Sequence, residues 1–126
     1  MKILLIDDDV FLRDMYATKF TECGHTVEAV DKAELALQML RQKNTFDVIL
    51  VDMVMPGMTG IDFIQTALAE ALVGKAVCVV LSNQGQQADI NEALEAGAAS
   101  YIIKAEHIPS EVVEKTEAIW NEHKKS

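Results

Sequence analysis

The chain has 126 residues, half of them hydrophobic, with only two prolines and a formal charge of −9; this suits one domain with a real core and excludes a disordered chain. Acids outnumber bases 20 to 11, so the domain lacks the Lys and Arg surplus that grips nucleic-acid phosphates. No stretch approaches the ~18 apolar residues of a membrane span, the apolar run after Lys2 is too short for a signal peptide, and Cys23 and Cys78 lack CxxC or metal-ligand spacing.

These features predict a soluble, cytoplasmic protein with both thiols reduced and packed. In chain order, "KILLI" (2–6) reads as a strand covered on both faces, and Asp7, Asp8 and Asp9 follow it. Asp9 is placed to cap a first helix whose apolar face is Leu12, Tyr16, Phe20 and Cys23, with Gly24 as its stop. "HTVEAV" (25–30) alternates, with Thr26 and Glu28 pointing one way, as a half-covered edge strand does. "DKAE" opens a second helix, where Asp31 can cap and Glu34 can reach back; its face is Ala33, Ala36, Leu37 and Leu40.

"DVILV" (47–51) is the next buried strand, and it ends in a lone acid, Asp52. A bare buried carboxylate is costly, so this one must be hydrated, paired or bound to a cation. Ile61, Ile64, Leu68 and Ala71 stripe a third helix. "AVCVVL" (76–81) is a buried strand followed by Ser82 and Asn83. Ile90, Ala93 and Leu94 stripe a fourth helix that Gly97 stops, and "SYIIK" (100–104) is a fifth strand closed by Lys104. Pro109 suits the first turn of the last helix, whose face is Val112, Thr116, Ile119 and Trp120. The Met and aromatic residues of the helices read as core. His25, His107 and His123 show no paired spacing and read as surface residues, and "EHKKS" as a solvated tail.

Strand and helix alternate five times without linker or repeat. Right-handed crossovers then give one parallel sheet with helices on both faces. In such a sheet functional groups gather outside the carboxyl ends of the strands, where this chain puts Asp7, Asp8, Asp9, Asp52, Ser82, Asn83 and Lys104. If the first and third strands are neighbours, several carboxylates share one crevice and raise each other's pKa unless a cation intervenes. An all-oxygen donor set suits Mg²⁺.

"LLIDDD", "VDMVMPGMTG", "LSN" and "AASYIIK" resemble the four signatures of the receiver domain of two-component response regulators. The similarity spans nearly the whole chain, and is greatest to single-domain regulators of the chemotaxis type. It implies an α/β fold with a five-stranded parallel sheet of order 2-1-3-4-5 flanked by five helices, the flavodoxin-like arrangement. It also implies a receiver over residues 1–122, a short tail over 123–126 and no output domain.

By position, the resemblance makes Asp52 the phosphoacceptor. Asp8, Asp52 and the backbone carbonyl of Val54 would bind Mg²⁺ directly, with Asp7 acting through water. Ser82 would hold the phosphoryl oxygens, Lys104 would pair with them, and Tyr101 would be the rotating switch. Val54 and Gln84 fall where the family tunes the lifetime of the phosphorylated state. The phosphodonor would be a sensor histidine kinase or a histidine phosphotransfer protein. An unnamed downstream protein would be met through the fourth helix, fifth strand and fifth helix, with no role for nucleic acid or membrane.

Ser82 stands where the family usually has Thr and keeps the hydroxyl, and two further positions depart from the family pattern. Ala105 follows the lysine where Pro is usual, which predicts a trans bond there, and Asn83 replaces a small residue after the switch hydroxyl. Two other functions compete. A haloacid-dehalogenase-type phosphohydrolase would use "DDDVFL" as its Asp-x-Asp start, but no second acidic pair follows Lys104 and the chain leaves little room for a capping insertion. A receiver-like module that is never phosphorylated would explain the two departures, but not the intact set of acids.

Overall fold

The computed structural model describes residues 1–125. Its elements alternate as the sequence pattern requires: β1 (Lys2–Ile6), α1 (Val10–Glu22), β2 (Thr26–Val30), α2 (Ala33–Arg41), β3 (Val48–Val51), α3 (Gly60–Ala69), β4 (Val77–Ser82), α4 (Gln87–Ala96), β5 (Ser100–Ile103) and α5 (Pro109–Lys124). The strands form one parallel sheet of order β2-β1-β3-β4-β5. Among the described residues, no helix is long and apolar enough to cross a membrane.

Alternate residues of each central strand face opposite sides, so the sheet divides two cores. Ile3, Leu5, Val48, Leu50, Val79 and Leu81 pack against α1 and α5 through Tyr16, Phe20, Val112 and Val113. Leu4, Ile6, Ile49, Val51 and Val80 pack against α2, α3 and α4 through Leu37, Phe63, Ile64 and Ala93. Burial on both faces explains why β1, β3 and β4 are continuous apolar runs, whereas edge strand β2 keeps Thr26 and Glu28 exposed.

Asp9 caps α1 as its position suggests, accepting the Leu12 N–H at 3.1 Å. Thr59 and Asp62 form a reciprocal capping box on α3. Gly60 opens that helix against the strand end, where a Cβ would overlap the carbonyl oxygen of Asp52. Gly97 ends α4 at φ +120°, a conformation that side chains disfavour.

Several expectations change. The cap of α2 is Lys32, without a side-chain bond, and the Glu34 carboxylate lies against Gly57 instead. The buried face of α3 is Gly60, Phe63, Ile64 and Ala67; Leu68 is exposed and Ala71 lies beyond the helix. Helix α4 buries only Ala93, leaving Leu94 45% exposed. Cys23 is the exposed C-cap of α1, whereas Cys78 is buried in β4. Phe11 and Met15 stand on the exposed side of α1. His25 is half-buried and bonds Glu117 at 2.7 Å. The expected tail is helical through Lys124, with His123 stacked on Trp120.

Candidate functional site

Strand register builds the site. Ile6 lies opposite Val51, so the next residues, Asp7 and Asp52, emerge side by side. The Asp52 N–H donates to the Ile6 carbonyl at 3.1 Å, while the Asp7 N–H donates to the Val30 carbonyl on the other side. Asp7 and Asp52 are 1% and 9% exposed, and Asp8 faces solvent. One carboxylate oxygen from each of the three lies within 4.8 Å of the others, the only such metal-competent group among the described residues.

Lys104 is the single ammonium in this crevice. The sequence reading closes β5 with it, but the strand ends at Ile103 and Lys104 opens a short 3-10 turn over residues 104–106. That turn directs the side chain inward, 2.6 Å from Asp7 Oδ2 and 2.8 Å from Asp52 Oδ2. All peptide bonds among the described residues are trans, including Lys104–Ala105. Burial pulls the Lys104 pKa down, but hydrogen bonds to Asp52 and Asp7 outweigh it and hold the ammonium above its usual value. For Asp7, burial dominates and raises its pKa despite the bonds from Lys104 and the Asp9 N–H. Three carboxylates facing one ammonium leave the crevice short of positive charge.

The remaining oxygen of Asp52, Oδ1, accepts a long 3.3 Å bond from the Val54 N–H, and Val54 is 59% exposed at the rim. Ser82 ends β4, almost fully buried, and its Oγ accepts the Gln84 N–H at 3.2 Å. The Tyr101 hydroxyl donates to the Gln84 carbonyl. Burial pushes its phenol up; a bond to Ser82 opposes the shift, and the charges of Asp89 and Asp52 reinforce it. Ser82, Gln84 and Tyr101 are thus joined through one loop, beside but not bonded to Asp52.

Two neighbours were not assigned to the site from the sequence, which placed Tyr16 only on the apolar face of α1 and gave Arg13 no role. Arg13 Nη1 donates to the Asp7 carbonyl at 2.9 Å and fixes the backbone of the acid run. Tyr16, buried beneath the site, has its phenol pushed up by burial and feels Lys104, Asp7 and Asp52. Arg13 stands one helical turn from Asp9, a spacing that reaches the preceding strand end.

Fold and site together define a flavodoxin-like (βα)5 domain with an acidic pocket at the carboxyl edge of its sheet. The family model described as the response regulator receiver domain matches residues 3–116, and the chain belongs to that family. The chemotaxis protein CheY of Thermotoga maritima is 36% identical over 115 residues, 90% of this chain and 92% of that protein. The two-component response regulator PhoP of Pseudomonas aeruginosa is 35% identical over 105 residues, 82% of this chain. The chain spans only 45% of the length of PhoP. Among solved structures, a CheY-like receiver domain protein from Methanospirillum hungatei aligns with a TM-score of 0.86 at 25% identity, covering 98% of this chain and 96% of that one.

Proposed function

We propose that this receiver is a phosphorylation switch in a two-component phosphorelay, with Asp52 as phosphoacceptor. The observation that carries this reading is the placement of the Asp52 carboxylate: fixed by Lys104 at one oxygen, flanked by Asp7 and Asp8, and set just beneath a rim where Val54 is exposed. A carboxylate so held is a competent nucleophile toward phosphorus. An oxygen of Asp52 attacks the phosphorus of a phosphohistidine on a sensor kinase or phosphotransfer protein. The P–O bond forms as the P–N bond breaks, and the electron pair departs with the imidazole, which takes up a proton.

We assign Asp8, Asp52 and the Val54 carbonyl as direct ligands of Mg²⁺, with Asp7 acting through water; their all-oxygen chemistry fits that ion. When bound, the ion offsets charge on the transferring phosphoryl group. Lys104 pairs with the phosphoryl oxygens from its place against Asp52, which is stabilisation by a group already in position. Ser82 takes a phosphoryl oxygen and gives up its present loop contact. Tyr101, tied to the same loop at Gln84, then shifts and alters the face made by α4, β5 and α5. Coupling of this kind is typically about 1–3 kcal/mol. We place the receiver at residues 1–122, with this partner-binding face as its output.

Receiver domains are signalling domains, not multiple-turnover enzymes, so family membership sets aside the phosphohydrolase reading. Incubation with Mg²⁺ and acetyl phosphate, read by intact mass, should add one phosphoryl group. Asp52→Asn should abolish the added mass while leaving the circular dichroism unchanged. Undiminished labelling of that variant would refute the assignment.

A further inference from the structure

Helix α4 is the least covered helix of the fold. Its one fully buried residue is Ala93; Leu94 is 45% exposed, with Ile90 half-buried one turn earlier on the same side. Tyr101 is half-buried on β5, which lies at the sheet edge beside β4. A partly exposed apolar strip therefore lies on the helix packed beside β5, which carries the residue assigned as the switch.

The charge around this strip is one-sided. From Ala76 to Glu114 the acids are Asp89, Glu92, Glu95, Glu106, Glu111 and Glu114, and the only Lys or Arg is Lys104. That lysine is 6% exposed and engaged with Asp7 and Asp52, so no accessible Lys or Arg arises from this stretch. Every acid but Asp89 is exposed. Among the described residues, none of the α4 acids has a cationic partner, and Glu111 alone has a loose contact, 3.9 Å from His107. Elsewhere the surface mixes its signs, as in Arg41 with Glu70 and Lys19 with Glu22. Asp89 also acts on the Tyr101 phenol, so the switch residue lies inside the same negative field.

We propose that the face formed by α4, β5 and the start of α5 docks a basic amphipathic segment of a partner protein, with an apolar anchor seated at Leu94 and Lys or Arg flanking it. This rests on the reading of that face as the output surface. Complementary potentials select a partner and speed its encounter, while like charges reject the wrong one. An acidic segment or a nucleic-acid backbone is repelled here, and a second copy of the chain brings a net charge of −9.

The test uses three synthetic amphipathic helical peptides of the same Leu pattern, with Lys, Gln or Glu on the polar face, added to protein with and without beryllofluoride and followed by amide shifts and anisotropy. The Leu/Lys peptide should bind with shifts centred on residues 87–96 and 101, and added salt should weaken it. The Leu/Glu peptide should not bind. Glu92→Lys with Glu95→Lys should weaken the Leu/Lys peptide about tenfold. Glu22→Lys with Glu28→Lys, an equal change of net charge elsewhere, should leave it unchanged. Equal weakening by both pairs, shifts centred on α1 or α2, or preference for the Leu/Glu peptide would each overturn the proposal. Acetyl phosphate labelling of the same proteins reads Asp52 independently. Normal labelling without selective binding overturns the docking face alone, whereas absent labelling overturns the phosphoacceptor reading and the peptide map still decides the face.

Discussion

At the amino end of the sheet, polar groups are matched where they stand: the Lys2 N–H donates to Asp47 at 2.7 Å, and His25 bonds Glu117 at 2.7 Å. At the carboxyl end, Asp7 and Asp52 both pair with Lys104, and Asp8 joins their cluster with no ion-pair partner among the described residues. Both ends are built by the same parallel strands under the same packing rules. The difference is residual charge: the amino end satisfies its groups pairwise, while the carboxyl end keeps carboxylates in excess, an all-oxygen donor set that suits a cation. Burial makes the excess costly, as the raised pKa of Asp7 records.

The largest expected effect comes from removing the one ammonium. Lys104→Met leaves Asp7 and Asp52 facing each other in a buried site, and should cost about 3–5 kcal/mol in urea unfolding without metal. Millimolar Mg²⁺ should recover part of that loss. Glu117→Gln at the amino end should cost about 1 kcal/mol or less and show no Mg²⁺ response. Equal Mg²⁺ responses at the two ends would break the comparison.

High pH sharpens the same contrast. The Lys104 pKa is raised in the fold, so its stabilisation is fully present below the unfolded value of 10.5 and is lost as pH rises through the folded value. Cys78, pushed up to about 11 by burial from 9.0, also makes stability fall between those values, because only the unfolded thiol ionises there. Unfolding scans from pH 9 upward should therefore decline in the wild type, and less steeply in Lys104→Met, which keeps only the Cys78 contribution from this pair.

Smaller effects separate residues that lie side by side. Asp8→Ala should weaken Mg²⁺ binding about tenfold or more, whereas Asp9→Ala should leave it nearly unchanged and cost about 1 kcal/mol of stability as a lost helix cap. Titration of strand-end amides measures the first and urea unfolding the second; equal Mg²⁺ affinities would refute the ranking. Val54→Asn should place a polar group at the rim that can orient attacking water. The phosphorylated lifetime should then shorten by up to about tenfold, equivalent to ~1.4 kcal/mol, and Gln84→Ala should lengthen it. Decay of the labelled protein after donor removal, at fixed Mg²⁺, measures both.

How legible each feature was follows from its physics. Strands β1, β3 and β4 are buried on both faces, so "ILLI", "VILV" and "VCVVL" could be read directly, and an acid ending each of the first two marked the site. Asp9 and Gly97 were legible because caps and left-handed positions narrow the choice of residue. Helix faces were read less well. Periodicity gives the direction of a stripe but not how deeply a helix is seated, so Leu68 and Leu94 were expected inside and lie exposed. Phe11 and Met15 were missed for the same reason. The inward turn at Lys104 depends on where β5 stops, which a single apolar run does not encode. Arg13 acts on a backbone carbonyl, a contact with no signature in residue type.

We propose that the carboxyl end alone responds to its ligands and passes that response to β5. Amide shifts recorded first with Mg²⁺ and then with beryllofluoride, a stand-in for the phosphoryl group, test it most directly. We expect Mg²⁺ to move residues 7–9 and 52–54, and beryllofluoride to extend the changes to 82–84, 101 and 104, with Asp47, His25 and Glu117 silent. Changes that stay around Asp52 and never reach Tyr101, or that appear equally at the amino end, would contradict it.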